Sequence, residues 1–308
     1  MNNSTAMNDT ITGFDFSTAA IILILIVVVG GLGNTLTIYV ICRYTVKSVT
    51  IIYIFSLAVA DLTFLTTGVP LILSTRNTNF LVLFDDAGML FFRLFSVLVI
   101  FTQATLHVTC WTLMAMTIDR YLAIVYPVKS LKWRTTKTSV KVSIGVWIVS
   151  GLLSLPTAFP YTPDSDVLDA VAVYIFLTSF GIPLLVIIIC YVKIISFIHK
   201  RNKEMLLKTG GTNTMKKTRR VVKMVAVLIL VFAFSWAPMQ VLAMLRNIDP
   251  NFTNSLQFHV IKNIACILAY ANSSINPFVY AFMNMKIRKA LASKLRIKPA
   301  PNLTKATL

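Results

Sequence analysis

Charged residues are scarce in this sequence: Asp, Glu, Lys and Arg make up 13% of its 308 residues, whereas 56% are hydrophobic. In a soluble domain roughly a quarter of the residues are charged, so the composition excludes an ordinary water-soluble protein. A lipid bilayer suits the chain better, because a helix crosses the ~30 Å hydrocarbon core with about 20 mostly apolar residues.

Acidic residues are scarcer still, 11 against 29 Lys and Arg, and the net charge is +18. Such a charge could indicate nucleic-acid binding, but the basic residues are concentrated in alternate connections and the C-terminal tail, at 129–141, 193–223 and 286–305. Cytoplasmic loops of membrane proteins collect Lys and Arg. The pattern therefore predicts an extracellular N-terminus, a cytoplasmic C-terminus and contact with lipid headgroups rather than nucleic acid.

Hydropathy and helix breaks predict seven spans, near 18–42, 51–73, 92–122, 139–160, 171–197, 219–245 and 257–282. Helices are expected because every backbone N–H and C=O must be paired inside lipid. The predicted fold class is all-α integral membrane, a seven-transmembrane helix bundle with a short amphipathic C-terminal helix. The expected parts are an extracellular tail at 1–17, the membrane domain at 18–283, and the amphipathic helix with a short cytoplasmic tail at 284–308.

Disulfides and catalytic constellations are also lacking. The four cysteines, Cys42, Cys110, Cys190 and Cys266, fall within predicted spans and are expected to be small buried apolar residues. We find no metal-ligand cluster, no nucleophile beside a base and no phosphate-binding loop, and the three histidines are isolated. An enzyme is therefore disfavoured.

Polar groups do occur within the spans. An ionisable group at mid-membrane costs at least about 2.5 kcal/mol, so Asp61 in the second span requires partners, for which Asn34 and the 272–276 segment are candidates. A hydrogen-bonded polar plug and a cation or proton site explain Asp61 equally well. Proline should kink three helices, at Pro183, Pro238 and Pro277.

The third span ends in Asp119, Arg120 and Tyr121, which alone favours an arginine that reaches the membrane interface. Together with the polar groups above, however, this triplet resembles the class A, rhodopsin-like G-protein-coupled receptors over nearly the whole chain. The matching residues are Gly33, Asn34, Leu57 to Asp61, Asp119 to Tyr121, Trp147, Pro183, Tyr191, Phe232, Trp236, Pro238, Asn276, Pro277 and Tyr280. The resemblance implies a plasma-membrane receptor that activates heterotrimeric G proteins by movement of its cytoplasmic helix ends.

The resemblance also implies roles for single residues. Coupling and switching would involve Asp119, Arg120, Tyr121, Tyr191, Asn276, Pro277 and Tyr280. The activation relay would contain Trp236, Phe232, Pro183 and Cys110. An internal sodium ion, the one cofactor-like group expected, would bind at Asp61, Thr109, Asn272, Ser273 and Asn276.

The ligand class follows from two absences. By the resemblance, Thr102 occupies the position at which amine and opioid receptors carry Asp, so a monoamine ligand is disfavoured. Tyr270 occupies the position of the retinal-bearing Lys of opsins, so a light receptor is disfavoured too. The stretches 103–110 and 269–276 look most like those of galanin, kisspeptin and allatostatin-A receptors, which implies a peptide ligand. By analogy the pocket would contain Gln103, Leu106, Trp236, Gln240, His259 and Tyr270.

Two residues depart from the family pattern, and the N-terminal tail carries a separate feature. Phe95 occupies the position of the usual disulfide cysteine, and Thr218 occupies a position where many members carry an acid. The departure at Phe95, on the extracellular side, keeps open a binding-only or scavenger receptor, whereas an ion-coupled transporter is less favoured because no inverted repeat is found. The N-terminal tail carries glycosylation triplets, which chance would explain as well, at Asn2, Asn3 and Asn8.

Overall fold

The computed structural model describes the backbone of residues 2–44, 47–76, 78–158, 165–205, 213–248 and 255–294. Side chains are described within 18–44, 47–68, 71, 95–157, 167, 170–200, 221–245, 255, 257–258 and 260–290. Seven long helices and one short helix follow one another along these ranges.

The helices are α1 (Asn2–Tyr44), α2 (Val49–Arg76), α3 (Thr78–Val125), α4 (Thr136–Ser154), α5 (Ser165–Phe176, the turn Leu177–Gly181, and Ile182–Met205), α6 (Asn213–Ile248), α7 (Leu256–Met283) and α8 (Met285–Lys294). A 3₁₀ turn, Leu155–Ala158, extends α4. The helix α3 begins 14 residues before the predicted span at 92. Hydropathy falls at Asp85 and Asp86, but neither residue breaks a helix, and no proline interrupts this stretch.

Six helical segments are long and apolar enough to cross a membrane: Thr18–Tyr44, Val49–Gly68, Phe95–Val125, Thr136–Thr157, Ala170–Lys200 and Val221–Leu245. The seventh crossing is α7, whose 28 residues would extend about 42 Å as a helix. Its hydropathy is lowered by Lys262 and by the polar residues at 272–276. The seven-helix prediction is confirmed, and the hydropathy of α7 is low partly because Asn272, Ser273, Ser274 and Asn276 are polar and buried within it.

Six of the seven long helices pack side by side around a common core. Helix α1 packs against α2 and α7, α2 against α3, α3 against α5, and α6 against α7, while α4 lies outside α2 and α3. Large side chains such as Ile54, Leu57, Met116, Leu228 and Tyr280 are fully buried between them. The exposed apolar residues, including Leu32, Leu152 and Phe234, are those expected on a lipid-facing surface.

The fifth span contains a π-helical turn, Leu177–Gly181, immediately before Pro183. The backbone N–H of Ile182 bonds to the carbonyl of Leu177, five residues back, instead of the usual four. Pro183 has no N–H of its own, so the bonding pattern must change near it. The kink predicted at Pro183 is therefore accompanied by a π turn.

The short helix α8 begins directly after α7. The side-chain oxygen of Asn284 accepts hydrogen bonds from the backbone N–H groups of Lys286 (3.1 Å) and Ile287 (3.3 Å) and so caps the helix. Ile287 and Ala290 are buried against the bundle, whereas Lys289 stays outside the core. This arrangement confirms the predicted amphipathic helix.

Candidate ligand and coupling sites

One end of the bundle, called here the basic end, holds Arg43, Arg120 and Arg134. At this end the carboxylate of Asp119 lies 2.7 Å from a guanidinium nitrogen of Arg120. The same Arg120 donates a 2.6 Å hydrogen bond to the hydroxyl of Thr50 at the start of α2. Arg120 thus binds one group on its own helix and one on a neighbouring helix.

A second arginine shares the carboxylate. Arg134, which precedes α4, donates to both oxygens of Asp119, at 2.8 and 3.3 Å. The sequence predicted roles for Asp119 and Arg120 but none for Arg134. No motif indicated Arg134, since a basic residue in this loop is also what the charge asymmetry of a membrane protein requires.

A cavity of about 750 Å³ opens at the basic end among α2, α3, α6, α7 and α8. Its lining combines basic and apolar side chains, among them Arg120, Arg134, Val221, Met224, Met283 and Lys289. Arg120 therefore faces a space that another molecule can enter. The lining offers cations around an apolar floor, which suits an amphipathic helix with an acidic end.

The three predicted switch tyrosines are placed differently. The hydroxyl of Tyr191 donates a 3.0 Å hydrogen bond to the carbonyl of Val222 and so joins α5 to α6 at the basic end. Tyr280 is fully buried, and its hydroxyl has no hydrogen-bond partner. Tyr121 is only partly buried and stacks edge-on with Tyr126, and the ammonium of Lys193 lies 5.9 Å from its ring centre.

A row of aromatic rings runs through the middle of the bundle. Phe180 stacks on Phe232 with ring centres 5.9 Å apart, and Phe232 lies 6.5 Å from Trp236. The row continues from Trp236 to Phe64 (5.5 Å) and from Phe64 to Tyr270 (4.6 Å). Phe232 and Trp236 were predicted, whereas Phe64 and Phe180 were missed.

The remaining relay residues lie beside this row. Cys110 belongs to the same buried cluster as Phe232 and Trp236, and Pro183 is buried one turn beyond Phe180. Phe64 lies three residues after Asp61, on the same helical face, so that periodicity was the signal that could have found it. Phe180 stands in a fully apolar run where periodicity gives no direction.

A smaller cavity of about 170 Å³ adjoins the aromatic row. Its lining residues come from α2, α3, α6 and α7: Phe64, Thr102, Gln103, Leu106, Trp236, Met239, Cys266, Ala269 and Tyr270. Two donors in this lining, Nε2 of Gln103 and Nε1 of Trp236, are buried and have no hydrogen-bond partner. Because an unmade buried hydrogen bond is costly, both donors favour a ligand that carries acceptors.

Four of the six residues predicted for the pocket line this cavity together: Gln103, Leu106, Trp236 and Tyr270. Gln240 is buried one turn from Trp236 and is not part of the lining. The side chain of His259 lies outside the described residues. Thr102 is in the lining, and its hydroxyl donates a 3.0 Å hydrogen bond to Thr67.

A buried polar cluster lies midway between the two cavities. Asp61 is fully buried, and one of its oxygens accepts a 2.8 Å hydrogen bond from Nδ2 of Asn276. Its other oxygen has no partner, and neither has the side-chain oxygen of Asn272. Hard oxygen ligands without donors suit a small cation such as sodium.

Two other residues were predicted for this cluster, and the side chain of Ser273 lies close enough to Asp61 to interact with its carboxylate. Ser273 and Thr109 are both buried. Within the described part of the chain no hydrogen bond joins Thr109 to Asp61. The donor set therefore fits a cation through Asp61 and Asn272, with Asn276 holding the second carboxylate oxygen.

The proline of α7 explains why Asn34 is buried beside this cluster. Pro277 has no N–H, so the carbonyl of Ser273, four residues earlier, loses its helical donor. Nδ2 of Asn34 donates to that carbonyl (2.9 Å) and also to the carbonyl of Gly30 (2.9 Å). An amide of α1 thus replaces the missing bond.

The cysteine prediction needs one correction. All four cysteines are free thiols, and Cys110, Cys190 and Cys266 are buried, but Cys42 is exposed. Cys42 lies on the outer face of α1, which the apolar character of a span does not distinguish from the inner face. The glycosylation candidates Asn2, Asn3 and Asn8 have side chains outside the described residues.

Comparison with known proteins agrees with this geometry. The family model of the seven-transmembrane receptors of the rhodopsin family matches residues 33–280. The chain therefore belongs to the rhodopsin family of seven-transmembrane receptors, and it is a multi-pass membrane protein and not an enzyme.

Individual relatives are similar over most of their length. The chain is 33% identical to G-protein coupled receptor 54 of Oreochromis niloticus, over 86% of this chain and 75% of the relative. It is 30% identical to somatostatin receptor type 2 of Mus musculus, over 95% of this chain and 81% of the relative. It is 32% identical to somatostatin receptor type 5 of Rattus norvegicus, over 90% of this chain and 77% of the relative.

Proposed function

We propose that the chain is a plasma-membrane receptor that binds an extracellular peptide and activates heterotrimeric G proteins at its basic end. The observation that carries this proposal is the position of Arg120, which is paired with Asp119 and also lines the 750 Å³ cavity. An arginine held by one partner and open to another suits a two-state switch, because the guanidinium exchanges a carboxylate for contacts with the incoming protein.

The orientation follows from charge. The basic end carries Arg43, Arg120, Arg134, Lys137 and Lys289. Positively charged loops face the cytoplasm, so this end would meet the G protein, while the 170 Å³ cavity would open toward the outside. The C-terminal helix α8 would then lie along the inner leaflet.

A peptide ligand is supported by the chemistry of the smaller cavity. The described part of its lining contains no carboxylate that would hold an amine, and it combines aromatic and aliphatic surface with the unpaired donors of Gln103 and Trp236. A peptide segment supplies both an apolar side chain and backbone carbonyl acceptors. The names of two relatives give somatostatin, a peptide, as their ligand.

The aromatic row offers the mechanical link between the two ends. A ligand in the cavity touches Trp236, whose ring is followed by Phe232 and then Phe180. Helix α6 carries Trp236 beside the cavity and Val222 at the basic end. The carbonyl of Val222 accepts the hydrogen bond from Tyr191, which joins α6 to α5. A shift of Trp236 would therefore move the α6 end that borders the coupling cavity.

Guanine-nucleotide exchange tests the proposal directly. The purified chain in lipid would be mixed with a panel of G proteins, with and without galanin-, kisspeptin-, allatostatin- and somatostatin-like peptides. We expect one peptide to raise exchange and Arg120→Ala to abolish the increase without loss of peptide binding. Arg43→Ala is the matched control, because Arg43 is an exposed cation of the same end outside the cavity lining.

Two results would count against coupling. Silence of the folded protein with every G protein would favour the binding-only alternative, whereas exchange that survives Arg120→Ala would show that coupling does not depend on Arg120. Gln103→Leu tests the ligand side separately. It removes one donor at similar volume, and we expect peptide affinity to fall about 3- to 10-fold, the equivalent of one hydrogen bond.

A further inference from the structure

A second groove lies on the outer surface of the bundle, among α1, α2 and α4. Its volume is about 580 Å³, within the range of ~300–1,000 Å³ that is usual for small-molecule sites. The walls are mainly apolar and include Ile51, Phe55, Val140, Ile144 and Trp147. Because Val140 and Ile144 are exposed, the groove is open toward the surrounding lipid.

Two lysines line the groove at its basic end. Lys47 lies two residues before the start of α2, and Lys137 lies in the first turn of α4. Both side chains are exposed, and neither forms an ion pair with any described residue. The carboxylate of Asp119, at the same end of the bundle, is already bound by Arg120 and Arg134.

Helix dipoles add to this positive field. Helix α2 begins at Val49 and α4 at Thr136, so both N-termini lie beside the two lysines, and neither has an acid in its first turn. The hydroxyl of Thr135 caps α4 by accepting from the N–H of Thr138 (3.1 Å). The partial positive charge of both N-termini therefore favours an anion at this end of the groove.

One polar group lies deeper in the lining. The hydroxyl of Ser143 is buried and has no hydrogen-bond partner, whereas the nearby indole N–H of Trp147 is bound to Ser56 (3.1 Å). An acceptor lying against Ser143 would supply the missing hydrogen bond. The groove thus presents cations at its end, one unused hydroxyl further along, and apolar walls beyond.

We infer that this groove binds one anionic glycerophospholipid. The phosphate lies between Lys47 and Lys137, an ester carbonyl lies at the level of Ser143, and an acyl chain packs along Phe55, Ile144 and Trp147. A sterol would cover the apolar walls but would leave both ammonium groups without an anion. Under the orientation proposed above, this lipid belongs to the inner leaflet, where anionic lipids are found.

Native mass spectrometry of the full chain in a neutral detergent tests the inference without any ligand or G protein. Phosphatidylserine would be compared with phosphatidylcholine of the same acyl chains and with cholesterol. We expect phosphatidylserine to bind in preference. Replacing both lysines, Lys47→Gln with Lys137→Gln, should weaken its binding about 25-fold, on the basis of about five-fold for each lysine near an anionic lipid.

Two further variants separate the groove from general surface charge. Lys129→Gln with Lys200→Gln removes two exposed lysines outside the lining and should leave phosphatidylserine binding nearly unchanged. Ile144→Trp fills the groove without changing its charge and should weaken binding. The inference is overturned if the control pair weakens binding as much as the groove pair, or if phosphatidylcholine or cholesterol binds as well as phosphatidylserine.

Discussion

Arg134 binds both carboxylate oxygens of Asp119, at 2.8 and 3.3 Å, although Arg120 lies 2.7 Å from the same carboxylate. The connection between α3 and α4 is thereby tied to the residue that holds the switch arginine. Thr218 offers no acid on α6, so the resting position of Arg120 depends on Asp119, Thr50 and, indirectly, Arg134.

Replacing Arg134 should therefore destabilise the receptor. The Asp119 side chain is only 8% exposed, and Arg134→Ala would remove one of its two cationic partners. We expect a loss of about 1–3 kcal/mol in the free energy of unfolding, as for hydrogen bonds to charged groups. Denaturation in mixed micelles measures this loss, with Lys132→Ala, an exposed cation of the same loop, as the control.

A double-mutant cycle identifies the cause. If Arg134 acts through Asp119, then adding Arg134→Ala to Asp119→Asn should cost much less than it costs in the wild type. Additive losses would show instead that Arg134 stabilises the loop by other contacts.

A buried polar network between α3 and α5 should also contribute to stability. The imidazole of His107 contacts the carbonyl of Gln103 (2.9 Å) and the hydroxyl of Thr178 (3.0 Å), and the indole of Trp111 donates to the carbonyl of Thr178 (2.9 Å). Inter-helix hydrogen bonds in membranes contribute about 0.6 and up to ~1.7 kcal/mol. We expect His107→Phe and Thr178→Val to lower the unfolding free energy with a coupling of that size.

The control for this cycle is Thr66→Val, because the hydroxyl of Thr66 bonds only within its own helix, to Leu62 and Thr63. This variant should change stability by less than either network variant. A coupling near zero between His107 and Thr178 would mean that their contact is geometrically close but energetically neutral.

The fold could be predicted from the sequence because hydropathy and charge each act over many residues. Twenty consecutive apolar residues leave few alternatives in lipid, and the seven spans follow from that requirement. The ends of the helices were harder to predict from the sequence. The start of α3 at Thr78 depends on helix continuity beyond the apolar region, to which hydropathy is insensitive.

The sites were predicted only where a residue is chemically unusual for its surroundings. Asp61 and Pro277 each require compensation inside a membrane, and the structure supplies it through Asn276 and Asn34. Arg134 and Phe180 are ordinary for their surroundings, a basic loop and an apolar helix. Only the three-dimensional arrangement gives them partners.

Sodium should stabilise the folded receptor if the Asp61 cluster holds it. At a concentration ten times its dissociation constant, a bound ion adds about 1.4 kcal/mol to the unfolding free energy. Thermal unfolding in sodium chloride would therefore occur at a higher temperature than in potassium chloride of equal ionic strength. Asp61→Asn should remove the difference, because it replaces one carboxylate oxygen with a donor; a difference that persists in this variant would place the ion elsewhere.

Gly30 and Gly31 form a natural pair for testing how closely α1 approaches α7. A Cβ at Gly30 would collide with the hydroxyl of Ser274 and lie 2.7 Å from Cδ1 of Leu65, whereas a Cβ at Gly31 meets nothing within 4 Å. The Ser274 hydroxyl cannot move freely, since it donates a 2.7 Å hydrogen bond to the carbonyl of Ile26.

Gly30→Ala should therefore cost about 1–3 kcal/mol through overpacking, while Gly31→Ala should be neutral or stabilise the helix by up to ~1 kcal/mol through its higher propensity. Unfolding free energies of the two variants in the same micelles provide the comparison. Because both changes add the same methyl group to the same helix, equal effects would exclude close α1–α7 packing as the reason for glycine at position 30.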